Sequence, residues 1–174
     1  MAGKKALVLS AQNFEDTELI CPMNRLQEAG YTIDLAAPQS GDFKGKVGYT
    51  AQANMSVSEL PEDPGREYEL LLLPGGKAPA ELRKLDKAIQ AAKSFDALGK
   101  PIAAICHGPQ ILITAGLLQG KNATCYSSVV EELKEAGANY LDQEVVVEGT
   151  YVFSRYPGDI PAFNREIMKQ LDMG

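Results

Sequence analysis

The chain is expected to fold as an α/β protein, a three-layer α/β/α sandwich around a mostly parallel sheet. Two continuous aliphatic runs, Glu69–Leu73 (ELLLL) and Pro101–Ile105 (PIAAI), have the character of strands buried on both faces. The N-terminal region supplies an aliphatic run, an amphipathic stretch and a second extended run in close succession, the β-α-β unit that builds parallel sheets. With 174 residues, the chain suits one domain, residues 1–174, with a substantial core.

Lys5–Ser10 (KALVLS) is the first strand. Leu19, Ile20, Met23, Leu26 and Ala29 recur at helical spacing and predict a helix over Glu15–Ala29, stopped by Gly30. Pro22 falls inside that pattern, where it should kink the helix or mark a late start. Tyr31–Ala37 is the next strand. From Pro38 to Gly65 the chain is rich in Gly, Ser, Pro and Asn, with Lys46–Gln52 and Ala53–Val57 expected as short antiparallel strands at the sheet edge. ELLLL then ends at Pro74-Gly75-Gly76. A helix is expected from Ala80 to Leu98, ended by Gly99, followed by the PIAAI strand and a helix over Gly108–Ala115 with Pro109 in its first turn. The rest gives a short strand near Asn122–Cys125, a helix over Val129–Ala136, paired strands Glu144–Val147 and Tyr151–Phe153, and a terminal helix from Pro161 to Leu171. Ligand sites in such sheets lie beyond the carboxyl ends of the strands, where both Gly75-Gly76 and Cys106 fall.

Composition removes several function classes. The formal net charge of -6 would repel a phosphate backbone, and no Lys and Arg cluster interleaved with aromatics offsets it, so no nucleic-acid partner is expected. No apolar run approaches the roughly 18 residues that span a bilayer, and the short run after Lys4 and Lys5 lacks a cleavage signature, so neither membrane insertion nor a signal peptide is expected. Cys21, Cys106 and Cys125 form no CxxC pair, and an odd count suits free thiols in a reducing cytoplasm. With His107 as the only imidazole, a structural zinc site has little to draw on, and GxxxxGK[ST] is absent. Cys21, on the apolar stripe, and Cys125, near a strand end, read as packing residues.

AAICHGPQ places a thiol where a buried strand turns into a helix, the arrangement a nucleophile elbow uses to lift a side chain above the sheet. Gly108 permits a tight turn, and the helix that follows would aim free amides and partial positive charge at the sulfur, lowering the thiol's pKa. A buried cysteine of no function is the alternative, and the strand-Cys-His-Gly context favours the nucleophile. Any histidine-assisted proton transfer must use His107. The Pro74-Gly75-Gly76 turn offers backbone amides for an oxyanion hole.

Five segments, AQNFEDTEL, LLLPGGKAP, AAICHGPQILITAG, EVVVEGTYV and SRYPGDIPAF, resemble in order the signatures of the PfpI family over essentially the whole chain. That family is similar in fold to class I glutamine amidotransferase domains, a flavodoxin-like architecture, and shares a superfamily with the Parkinson-disease protein deglycase. The resemblance implies that Cys106 is the nucleophile, His107 its following histidine, Glu15 the carboxyl lying against the sulfur, and Gly76 and the His107 amide the oxyanion donors, with Gly75 beside them. Tyr126, Arg155 and Asp159 fall in matching motifs near the family's site or subunit contacts. It also implies a homo-oligomer, a dimer that assembles further into hexamers.

Members described as intracellular peptidases resemble PGGRAPE, with the glutamate completing a triad across subunits; here Ala80 holds that position and Glu81 is one residue late, a helical rotation of about 100 degrees. The expected function is therefore cofactor-independent glyoxalase or deglycase chemistry on methylglyoxal and related reactive carbonyls, with thiolate addition and a proton moved by Glu15 or His107. A cysteine peptidase or amidase on peptide substrates and an oxidation sensor or chaperone built on Cys106 are the alternatives.

Overall fold

The computed structural model describes residues 3–172. In chain order the elements are β1 (Lys5–Leu9), α1 (Asp16–Glu28), β2 (Thr32–Ala37), β3 (Gly41–Lys44), β4 (Thr50–Ala53), β5 (Met55–Ser56), β6 (Leu70–Leu73), α2 (Ala78–Leu82), α3 (Asp86–Ala97), β7 (Ile102–Ile105), α4 (Pro109–Thr114), β8 (Asn122–Ala123), α5 (Val130–Glu135), β9 (Asn139–Tyr140), β10 (Val146–Glu148), β11 (Tyr151–Ser154) and α6 (Ile160–Asp172). Seven strands form the central sheet in the order β10-β11-β7-β6-β1-β2-β5, parallel except for the β10–β11 pair. Helices cover both faces: α1 packs with α6, and α2, α3 and α4 pack together.

The aliphatic runs occupy the middle of this sheet because both their faces are covered. Leu35, Val8, Leu72, Ala103 and Val152 stand side by side across β2, β1, β6, β7 and β11, and all are buried. The buried apolar side chains form one contiguous cluster around that row. The chain runs from β1 outward to β2, then crosses to β6 on the other side of β1, so the topological switch lies between the carboxyl ends of β1 and β6. Among the described residues no helix is long and apolar enough to cross a membrane.

Three expected elements differ. The strands expected at Lys46–Gln52 and Ala53–Val57 are instead an antiparallel hairpin of β3 with β4, separate from the main sheet, while β5 adds parallel to β2 as the true edge. The helix expected over Ala80–Leu98 is two helices, because Leu85 takes an extended backbone (φ -100, ψ 117) and Asp86 opens a new first turn. Pro22 does not delay the start of α1: the helix runs unbroken from Asp16 to Glu28. Midway along α1, Pro22 removes one amide from the helical ladder, and packing of the buried face around it, with Leu19 and Leu26, maintains the turn.

Leu71 in β6 is wholly buried between neighbours on β7 and β1. Leu71→Ala should lower unfolding stability by about 3 kcal/mol in urea titrations. A loss below about 1 kcal/mol would mean that β6 is not the packed centre of the sheet.

Candidate active site

Cys106 follows β7 directly and takes a left-handed backbone conformation, φ 65. For a residue with a Cβ this conformation costs roughly 1–2 kcal/mol, so it persists only where the surroundings fix it. Here the Cys106 N–H donates to the Ser154 carbonyl at 3.0 Å, and its own carbonyl accepts from Tyr126 N–H at 3.0 Å. The next turn closes with Gly108 N–H donating to Ile105 O at 2.9 Å. A Cβ on Gly108 would run into the Leu73 carbonyl oxygen, so β6 can approach the elbow only because the residue is glycine.

The carboxyl beneath the sulfur belongs to Glu18, one turn into α1. Glu18 is fully buried, and its Oε1 accepts the Gly75 N–H at 2.9 Å. A Cβ placed on Gly75 would stand 2.5 Å from Glu18 Oε1 and 3.0 Å from Cys106 Sγ, which shows how closely carboxyl and thiol crowd the same glycine. Among the described residues, no partner meets Glu18 Oε2 in hydrogen-bonding geometry. Burial, and then the charge of Glu15, push the Glu18 carboxyl up to about 8. At neutral pH it therefore holds its proton and is a donor.

The thiol does not follow the expected depression by a helix terminus. Burial first, and an ionised Glu18 second, push Cys106 up to about 12, against the N–H groups of Gly76 and His107 that face the sulfur and favour its anion. Neither amide donates to a main-chain carbonyl among the described residues. His107 Nδ1 lies 3.3 Å from Sγ, and Nε2 lies 3.2 Å from Ser128 Oγ. Burial and then the Lys46 charge hold the imidazole below its ordinary range, so it is neutral near pH 7. Tyr126 stacks on the ring at 5.1 Å and fixes its plane. A cleft of about 410 Å³, lined by Lys46, Gly76, Lys77, Ala80, His107 and Gln110, opens over this group.

Four expected roles are corrected. Glu15 does not lie against the sulfur: it is the N-cap of α1, its carboxylate accepting Glu18 N–H at 2.9 Å and Thr17 hydroxyl at 2.6 Å. Gly75 has no amide to offer a substrate, because Glu18 holds it. Arg155 is absent from the cleft lining; its guanidinium is occupied by Asp142, Asp159 and Tyr156. Cys21 is exposed rather than packed, while Cys125 is buried as expected. Glu18 and Ser128 were missed. The signal for Glu18 was an acidic side chain on the buried stripe of α1, four residues before Pro22 and eight before Leu26. Ala80 lines the cleft, whereas Glu81 is largely exposed and 3.7 Å from Lys84. Among the described residues no group of three His, Cys, Asp or Glu could hold a metal ion.

A buried carboxyl raised from 4.5 to about 8 binds a proton in the folded state that the unfolded chain has lost. Its contribution to stability is complete below pH 4.5 and disappears as pH rises through about 8. Glu18→Gln, which keeps the Gly75 acceptor but cannot ionise, should flatten that decline when urea midpoints are compared with wild type across the window. Parallel profiles would show that Glu18 is not the buried acid. Glu15→Ala should instead lose about 1 kcal/mol through the missing cap and keep the decline.

The DJ-1/PfpI family model matches residues 4–170. The chain is 46% identical over 167 residues to deglycase TK1284 of Thermococcus kodakarensis, covering 96% of this chain and 99% of the relative. It is 39% identical over 172 residues to protein/nucleic acid deglycase 2 of Escherichia coli K12, covering 97% and 98%. Among solved structures, Schizosaccharomyces pombe DJ-1 superposes with a TM-score of 0.87 at 28% identity, covering 95% of this chain and 90% of that one. The flavodoxin-like layering, the thiol elbow and the matching sequence agree, and the chain belongs to the DJ-1/PfpI family.

Proposed function

We propose that the chain is a cysteine-dependent enzyme for small reactive carbonyls, converting methylglyoxal to lactate and acting on early adducts of such aldehydes with amines. The observation that carries this reading is the convergence of donors on one sulfur: the N–H groups of Gly76 and His107, with the buried Glu18 carboxyl beside them. The first proton of the Glu18–Cys106 pair leaves near pH 8 from Glu18, the thiol being held up to about 12. The carboxylate so formed lies beside the thiol and takes its proton as sulfur attacks, and the growing charge on sulfur meets both amides. The deglycase names of the relatives support the same substrate chemistry.

The thiolate adds to the aldehyde carbon, and a carbon–sulfur bond forms as the carbonyl π pair moves to oxygen. That oxygen is met by the Gly76 and His107 N–H groups and takes the Glu18 proton, giving a hemithioacetal. A base, the Glu18 carboxylate or neutral His107, then removes the hydrogen of the former aldehyde carbon as a proton while the ketone oxygen is protonated. The enediol takes a proton at the neighbouring carbon and becomes the lactate thioester. Water adds to that thioester, the carbon–sulfur bond breaks, and lactate leaves with the proton returned to the pair. Atoms sum to methylglyoxal plus water. An intersubunit peptidase triad finds no support here, since the cleft carries Ala80 where peptidase members have a glutamate.

Purified protein should form lactate from methylglyoxal, with kcat/KM rising through the pair's first ionisation near pH 8. Cys106→Ala should lower kcat/KM by about 10³-fold or more, and Glu18→Gln should remove the rise near pH 8, because a carboxamide cannot ionise to take the thiol proton. Lactate formation unaffected by Cys106→Ala would end the reading, and Cys106-dependent hydrolysis of peptides without lactate formation would replace it with an amidase.

A further inference from the structure

The protein is acidic overall, yet the cleft over its nucleophile is lined by two lysines and by no carboxylate. Neither Lys46 nor Lys77 forms an ion pair among the described residues. Of the acids around the cleft, Glu132, which accepts from Gln110 of the lining, is paired with Arg83, Glu18 is protonated at neutral pH, and the Asp16 carboxylate is held by two backbone N–H groups. The positive field of Lys46 reaches both His107 and Glu18, so its ammonium bears on the reacting groups.

The two lysines are placed by the backbone. Phe14 is bridged on one side to Gly45 and on the other to Gly76, and each lysine is the residue after a bridge partner. Lys46 N–H donates to Phe14 O at 2.9 Å, and Lys77 N–H donates to Asn13 O at 2.9 Å. The turn that carries Lys46 is clamped by the buried Asp16 carboxylate, which accepts Val47 N–H at 3.1 Å and Tyr49 N–H at 2.9 Å. A Cβ on Gly45 would strike the Asp16 carboxylate, so the turn is seated on that acid as closely as glycine allows. A hairpin detached from the main sheet is thereby locked onto the first turn of α1, with Lys46 on the wall of the cleft.

We propose that this cleft selects anionic substrates, α-oxo aldehydes that carry a carboxylate or phosphate, and that Lys46 and Lys77 bind the anionic group. The substrate class rests on the carbonyl chemistry proposed above; the binding of anions does not. A charge in the cleft meets two ammonium groups without first breaking an ion pair, whereas methylglyoxal uses neither.

Iodoacetate and iodoacetamide share a leaving group and nearly a shape, and differ by one charge. Their alkylation rates at Cys106, read by mass spectrometry and normalised to the exposed Cys21, report the cleft's preference without any turnover. The iodoacetate-to-iodoacetamide ratio should fall about two- to fivefold in Lys46→Gln and in Lys77→Gln, fall further in Lys46→Glu, and shrink in wild type with added salt. Inorganic phosphate and acetate, each tested for slowing iodoacetamide, distinguish the two anionic groups. In turnover, hydroxypyruvaldehyde phosphate should exceed methylglyoxal in kcat/KM, with the advantage lost in Lys46→Gln through KM. A ratio unchanged by all three lysine variants overturns the proposal, even if methylglyoxal is turned over. A lysine-dependent ratio with no lactate from any aldehyde upholds the anion site and removes the carbonyl reading instead.

Discussion

Everything in this site depends on burying a carboxyl group under a thiol. An ionised carboxylate in that place would lose its hydration without gaining a cation, a penalty of several kcal/mol, so Glu18 answers by keeping its proton. Protonation converts a repulsive neighbour of the thiolate into a donor. The same burial dictates the sequence around it. Gly75 must lack a side chain, because a Cβ there would meet both Glu18 Oε1 and the Cys106 side chain, and its amide must face the carboxyl. Glu18 reaches the sulfur at all because the sheet reverses direction between β1 and β6, so that α1, the β6 turn and the β7 elbow all rise from neighbouring strand ends.

The elbow stores strain that the core must hold. Cys106 sits in the left-handed region, and the residues that fix it come from three distant parts of the chain: Ser154 at the end of β11, Tyr126 after β8, and Leu73 against Gly108. Position, and not a helix dipole, is what this turn supplies. The helix behind it, α4, spans only Pro109 to Thr114, and its partial charge is outweighed by the desolvation of a cysteine that is 5% exposed. What bears on the sulfur's ionisation is the buried carboxyl beneath it and the two amides beside it.

The central strands, the elbow and the glycine turn were legible because each is written in local chemistry: unbroken aliphatic runs, Cys-His-Gly after one of them, Pro-Gly-Gly after the other. The assignment of the acid was not. Glu15 and Glu18 lie three residues apart in NFEDTEL, and a motif match cannot say where the first helical turn begins. Only the turn decides that Glu15 caps its own helix while Glu18 joins the buried stripe. Arg155 was misplaced although Asp159, four residues on, was in view: only the fold shows that this acid, with Asp142, occupies its guanidinium. The hairpin of β3 and β4 was shifted because its register is set by Asp16, some thirty residues away, rather than by any turn signal of its own.

Three acidic residues within one helical turn thus perform three separable tasks. Glu15 turns back to cap the helix, Asp16 clamps the hairpin that carries Lys46, and Glu18 points down beneath the thiol. On a helix, successive side chains diverge by about 100 degrees, so neighbours in sequence serve different surroundings, and the turn acts as a distributor. It follows that the surroundings of the thiol and the cationic wall of the cleft are joined through backbone geometry rather than through any shared side chain. A change that rotated the start of α1 by one residue would disconnect both at once, leaving the sheet intact, its strands being held by the aliphatic core and not by this turn.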